Sequence, residues 1–275
     1  MRLESERLDK YLQSLPAAAL EQQSACEQWT VGDVVAHLIG GAQMCAEHIS
    51  RGLQGNLSPP DGFPPAGEGD PEVMGRLNAH RTIFRRAGFG NQLLPAFKST
   101  NDRLNQLIAG LRPDDWDKLC YHPIGVIPVQ TFVSLRMFEL ALHGWDIASR
   151  LEPETHLSTE SLPSLMELIS TMCPMLVQAP PGHPPGDRYR FRLGGVAAGD
   201  YDIVMEGTGA RMVAAGEEPA AAVLRCDAKY FPLLMTGRLS VESAMNLGQL
   251  VIEEGRWLPP GFGDWFKGVW RPSDG

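Results

Sequence analysis

The chain has 275 residues, 43% of them hydrophobic and 21% charged, and a formal net charge of -9. That balance predicts a globular protein, long enough for one large domain or two ordinary ones. An acidic chain with no basic tract excludes a nucleic-acid-binding role and disfavours docking on anionic membranes.

The N-terminus, MRLESERLDKYLQ, is charged from its second residue and carries neither an apolar stretch nor a cleavage site, so no secretory signal is expected. No uninterrupted apolar run approaches a membrane span. Five cysteines (Cys26, Cys45, Cys120, Cys173 and Cys226) are scattered, odd in number and without CxxC spacing. They predict neither a disulfide framework nor a zinc knuckle but buried thiols of a reducing cytoplasm.

Residues 2–22 read as helical, with Pro16 as an interruption. Thr30 with Asp33 three residues on resembles a capping box and opens a second helix, expected to run to about Leu53. The stretch NLSPPDGFPPAGEGDP that follows is long for a connection within a domain, a feature of functional or disordered loops. Residues 72–111 are again helical in pattern, broken at GFGN (88–91). The RPDDWD turn and the apolar run IGVIPV lead into a helix over 131–151, which Pro153 should stop. A further helix is expected over about 159–178, and APPGHPPGD then reads as a linker.

Beyond the linker the pattern changes. RYRFRL, YDIVME, ARMVAA and AAAVLRCD read as strands, and AKYFPLLMTGR and SVESAMNLGQLVIEEG as helices. The prediction is a helical bundle over 1–180 followed by an α+β domain with an antiparallel sheet over 187–275.

The 131–151 helix carries the chemistry. Arg136, Glu139, His143 and Asp146, spaced +3, +4 and +3, fall within a sector of about 80°. Phe132 and Ile147 share that sector, so it should face the bundle interior. Ionisable groups there are costly unless paired or bound to a metal. Glu139 and His143, one turn apart, can reach the same ion, and His37 among Val34, Val35, Leu38 and Ile39 offers a third ligand. Two nitrogens and a carboxylate oxygen suit zinc and leave a position open, with Asp146 placed to orient a ligand histidine. The same residues are compatible with a hydrogen-bonded core histidine and a buried ion pair of Arg136 with Glu139 or Asp146.

CEQWTVGDVVAHL (26–38) and RMFELALHGWDIA (136–148) resemble the paired signatures of the mycothiol-dependent maleylpyruvate isomerase family, within the wider DinB-like group. The family pattern is a Trp-Thr helix start followed by His, then R-x2-E-x3-H-G-x-D. Here Trp29, Thr30 and His37 are followed by Arg136, Glu139, His143, Gly144 and Asp146. The resemblance implies a divalent metal on His37, Glu139 and His143 in a DinB-like four-helix bundle. LRCDAKYFPLLMTGRLSVESAMNLGQLVIEEG is similar to the last strand and helices of sterol carrier protein 2, a C-terminal domain common in the family. Glu27-Gln28 stand where the family has Pro-Gly, and the loop at 54–71 and the segment after Gly255 are longer than expected. These departures bear on the substrate more than on the metal.

The implied activity joins a low-molecular-weight thiol such as mycothiol to a small electrophile, as an isomerase that adds and eliminates the thiolate or as an S-transferase that stops after addition. The cation would make the thiolate available near neutral pH. Arg238, in TGRLS, is a candidate to hold a carboxylate of thiol or substrate, against the alternative of a solvated arginine after a helix end. His48 reads as structural, His122 as a loop histidine close to the key helix, and Cys45 as core. A non-catalytic metal-containing protein that binds lipid or another small molecule, and a metal-dependent hydrolase, are the competing functions. The sequence does not give the oligomeric state.

Overall fold

The computed structural model describes residues 1–152, 154–255 and 258–266. It divides into two compact units after Thr155. Pro153 lies outside the described residues, as do residues 256–257 and 267–275 of the segment after Gly255.

The first unit contains helices α1 (Arg2–Ser14), α2 (Val31–Leu53), α3 (Pro71–Phe89) and α4 (Leu93–Ala109), a hairpin of β1 (Leu119–His122) and β2 (Gly125–Pro128), and helix α5 (Val129–Ala148). Leu15, forced out of helical space by Pro16, ends α1 in extended geometry. The capping box at α2 is complete: Asp33 N–H donates to Thr30 Oγ1 at 3.2 Å, and Thr30 N–H donates to the Asp33 carboxylate at 2.9 Å. Asp70 caps α3 by accepting from Val73 N–H at 2.9 Å, with Pro71 in the first turn.

Helix α2 is the axis of the unit and packs on α3, α4, α5 and β1. One core cluster joins Leu8, Leu12, Trp29, Val34, Leu38, Phe97, Leu140 and Ile147. Another, nearer the C-terminal end of α2, joins Cys45, Ile49, Leu104, Cys120 and Phe132. Gly52 admits the hairpin: a Cβ there would stand 2.4 Å from Leu119 O. The Pro/Gly loop is tied to the same hairpin, because Tyr121 Oη donates to Pro64 O at 2.7 Å and Gly67 N–H to Pro123 O at 3.1 Å. The hairpin itself was not foreseen from the run IGVIPV.

The second unit begins at His156. Helix α6 (Leu162–Leu176) packs on strand β5 (Gly209–Ala214) and helix α7 (Phe231–Met235). The sequence expectation had put this helix in the N-terminal bundle, with the boundary at 180–187. Its apolar face, through Leu165, Leu168, Ile169 and Met172, is buried within the second unit instead.

The sheet runs β5–β4–β3–β6–β7, with β3 (Arg188–Gly194), β4 (Gly199–Glu206), β6 (Ala222–Asp227) and β7 (Leu250–Glu254). Pairing is antiparallel except between β3 and β6, which are parallel because the chain crosses over after β5. Arg190 holds that crossover by donating to Gly216 O at 2.9 Å and Glu218 O at 3.0 Å. Its Nε also donates to the buried Asp202 at 2.8 Å. Burial pushes the Asp202 carboxyl up, but the bonds and charges of Arg190 and Arg188 outweigh it and hold the carboxyl below its ordinary value.

Two helices expected here are shorter than the pattern suggested. Only Phe231–Met235 and α8 (Val241–Asn246) are helical, and LVIEE, expected to continue a helix, is edge strand β7. Gly248, at φ 67°, makes the break before it.

Candidate metal centre

The three expected ligands converge. His37 comes from the second turn of α2, and Glu139 and His143 from successive turns of α5, which packs against it. His37 Nε2 stands 3.8 Å from Glu139 Oε1. The His37 and His143 rings meet edge to face with centroids 4.8 Å apart. Trp29 closes one side, 5.0 Å from the His37 ring and 6.4 Å from that of His143.

Each group is oriented by a second residue. Asp146 accepts from His143 Nδ1 at 2.8 Å, as expected, which leaves the Nε2 lone pair for an ion. The Asn78 side-chain amide lies 3.3 Å from His37 Nδ1, so Nε2 is the nitrogen turned to Glu139. Arg136 is 1% exposed and donates to Glu139 Oε2 at 3.1 Å, to Leu38 O at 2.7 Å and to Asn101 Oδ1 at 3.4 Å. The ion pair weighed from sequence thus coexists with the ligand arrangement.

The electrostatics suit a cation. Burial and the charge of His143 push His37 down to about 3, against the pull of Glu139, so its imidazole is neutral at pH 7. Burial pushes the Glu139 carboxyl up, but His37, Arg136 and His143 more than reverse it, so Glu139 is ionised. Two imidazoles and a carboxylate are a ligand set for zinc. Ligand atoms on a tetrahedral zinc stand about 3.3 Å apart. The 3.8 Å gap between His37 and Glu139 therefore closes with a small side-chain rotation, and His143, whose ring meets that of His37, has to turn its Nε2 to the same point. The residues present fit the metal.

A second group lies against the other face of His143. Cys26, just before Trp29, places Sγ 3.4 Å from Asp146 Oδ2 and 3.8 Å from His143 Nδ1. These three ligand atoms lie within 4.8 Å of one another. The 2.8 Å separation of Nδ1 and Oδ2 is that of a hydrogen bond, which favours Asp146 and Cys26 as supports of His143. The sequence reading missed Cys26, although it stands at the start of the CEQWT motif.

Arg238 is half-buried in the second unit, one residue after Gly237. His48 is buried against Phe63, Tyr121 and Phe132. His122, at the end of β1, meets Phe132 edge to face at 4.8 Å, and burial pushes it down to about 4. Cys45 is core, its thiol pushed up by burial.

The chain thus joins a helical first unit, with a histidine–carboxylate cluster where α2 meets α5, to an α+β second unit. The model of the mycothiol maleylpyruvate isomerase N-terminal domain matches residues 1–148, over half of the chain, and the chain belongs to that family. Two curated proteins of Mycobacterium tuberculosis, from strains CDC 1551 and H37Rv and each described as uncharacterized, are 24% identical over 149 residues. The match covers 54% of this chain and 64% of theirs, less than two thirds of their length. A crystal structure of the mycothiol-dependent maleylpyruvate isomerase superposes with TM-score 0.62 at 14% identity, covering 94% of this chain and 91% of that one. A histidine-to-alanine mutant of that enzyme gives 0.63 with the same coverage. This likeness is one of fold and extends across both units. Among the described residues no helix is long and apolar enough to cross a membrane.

Proposed function

We propose that this chain is a metal-dependent enzyme that uses a low-molecular-weight thiol such as mycothiol on a small electrophile, in the manner of maleylpyruvate isomerase. The metal is zinc, held by His37, Glu139 and His143. The observation that carries this is the meeting of the His37 and His143 imidazoles with an ionised Glu139 carboxylate, each held by its own partner. The first unit is then a DinB-like four-helix bundle elaborated by an extra helix, and the second a sterol-carrier-like domain.

When bound, the ion supplies a positive charge that stabilises a thiolate near neutral pH and polarises a substrate oxygen. The chain's own residues do the rest. Asp146 keeps the proton of His143 on Nδ1, and Arg136 keeps Glu139 ionised and aimed. Trp29 excludes water from one side of both rings. Three protein ligands leave a position for thiol or substrate. Isomerisation needs the thiolate to leave again after rotation about the former double bond, whereas S-transfer ends at the adduct. Arg238 is proposed to hold an anionic group of thiol or substrate. A thiol cosubstrate also fits a reducing cytoplasm.

Elemental analysis of the wild type and of a His37→Ala/His143→Ala variant, with folding checked by circular dichroism, tests the site. One equivalent of zinc in the wild type and none in the folded variant is expected, with turnover only when thiol is added. Full activity in metal-free protein, or turnover without thiol, overturns the proposal.

A further inference from the structure

Helix α3 lays one face along α2 beside the candidate metal centre. Asn78, Arg81 and Arg85, spaced +3 and +4, fall within about 60° of that face. Asn78 reaches His37 Nδ1 at 3.3 Å. Arg85 lies on Gly40, one turn beyond His37: a Cβ at Gly40 would stand 2.3 Å from Arg85 Nη1 and 2.5 Å from its Cζ. The absent side chain is thus what lets the guanidinium settle against α2. Arg81 lies with Cζ 4.3 Å from the centre of the Phe63 ring and donates to Gly62 O at 3.2 Å, both in the Pro/Gly loop.

Among the described residues these two cations have no acid to answer them: Arg85 makes no hydrogen bond or ion pair, and Arg81 makes no ion pair. The neighbouring Arg86, by contrast, pairs with Glu21. Glu139, the carboxylate close to His37, is already engaged by Arg136. Arg85 is half-buried, and burial and the charge of Arg81 both press against its own charge. A guanidinium fixed in place and withheld from carboxylates within the protein is shaped for a carboxylate from outside.

We propose that Arg85, assisted by Arg81, forms an anion site on α3 that holds a carboxylate of the electrophilic substrate beside the metal. The identity of the ligand rests on the thiol–electrophile reading. The site itself rests on the α3 geometry. Binding there would set the distance between the charged end of the substrate and its reacting atoms, so α3 selects anionic electrophiles over neutral ones. The Pro/Gly loop takes part through Phe63 and Gly62, which hold Arg81.

The test uses maleate as probe. Zinc-loaded full-length protein is titrated with maleate by calorimetry, with dimethyl maleate as the neutral analogue. Arg85→Gln should weaken maleate by about tenfold or more, the loss typical of a charged hydrogen-bond pair. Arg85→Lys should keep part of the affinity. Arg2→Gln, the same charge change on exposed α1, should leave it unchanged, and dimethyl maleate should not bind. Zinc content should be the same in all. Equal maleate affinity in wild type and Arg85→Gln, or no binding by folded wild type, overturns the inference. The titration is repeated on metal-free protein. An Arg85 dependence that survives there upholds the anion site even where the metal reading fails, and intact zinc with no Arg85 dependence sinks the anion site alone.

Discussion

Replacing Cys26 by alanine separates the two ways in which His143 can serve an ion. With zinc between His37, Glu139 and His143, the Cys26 thiol is a support that donates to Asp146 at 3.4 Å and not a ligand. A thiol is a weak donor, so its loss is worth about 0.5–1 kcal/mol, or less than about sixfold in zinc affinity. Asp146→Asn acts more directly, because it replaces the anionic acceptor of His143 Nδ1, at 2.8 Å, by a neutral one. Loss of such a support costs about 10–100-fold in metal affinity, or about 1.4–2.8 kcal/mol. His37→Ala removes a ligand and should abolish stoichiometric binding. With zinc instead between Cys26, His143 and Asp146, the order reverses, since the thiolate would be the strongest ligand and His37 a bystander. Competition against a chromophoric chelator at fixed pH, on variants shown folded by circular dichroism, gives all three affinities. Loss of zinc from Cys26→Ala together with retention by His37→Ala would refute the assignment.

Arg136→Met leaves Leu38 O, Asn101 and Glu139 without their buried donor and should destabilise the fold by about 3–5 kcal/mol in urea unfolding. Gly41→Ala places a Cβ 2.6 Å from Arg136 Nη1, which has no room to retreat, and should cost about 1–3 kcal/mol while weakening zinc. In metal-free protein, His37 and His122 titrate well below the unfolded value of about 6.5. The unfolded chain therefore takes up protons first, and thermal stability, full above that pH, should fall as pH drops from about 6.5 towards 4. A flat melting temperature across that window would contradict their burial. In the second unit, Asp202→Asn should loosen the crossover that Arg190 holds, seen as faster amide exchange at Gly216–Glu218 with the metal site unchanged.

How much of this was legible in the sequence follows from how local the signals are. The α2 start was readable because a capping box is a four-residue device, and the polar face of α5 because one helix face carries its residues at fixed spacing. The hairpin β1–β2 was not, since four-residue strands are too short to show alternation and depend on packing against Gly52. Leu162–Leu176 was recognised as a helix, but an apolar face does not say which unit it covers. Strand β7 was hidden because LVIEE carries helix-favouring glutamates, and only pairing with β6 makes it extended. Cys26, Arg81 and Arg85 were illegible for the same reason: each acts on a partner far along the chain, Cys26 on Asp146 and Arg85 on the turn after His37.

The buried charges of the first unit form a graded series that explains why one helix face can carry so many. Arg136 is paired with the Glu139 carboxylate and hydrogen-bonded to the α2 carbonyl of Leu38, so it ties α5 to α2 whether or not an ion is present. Glu139 gives one oxygen to Arg136 and turns the other to His37, so its charge is only half used within the protein. His37 and His143 each have Nδ1 already engaged, by Asn78 and by Asp146, so that Nε2 is the nitrogen left for an ion. A divalent cation at this point meets one full carboxylate and two imidazoles, which leaves the centre with a net positive charge. That residual charge, with the unanswered guanidinium of Arg85 a turn away, makes the surroundings attractive to thiolates and carboxylates although the chain as a whole is acidic. The fold thus keeps its structural cation, Arg136, paired and buried, and leaves the cations available to a substrate on the separate helix α3.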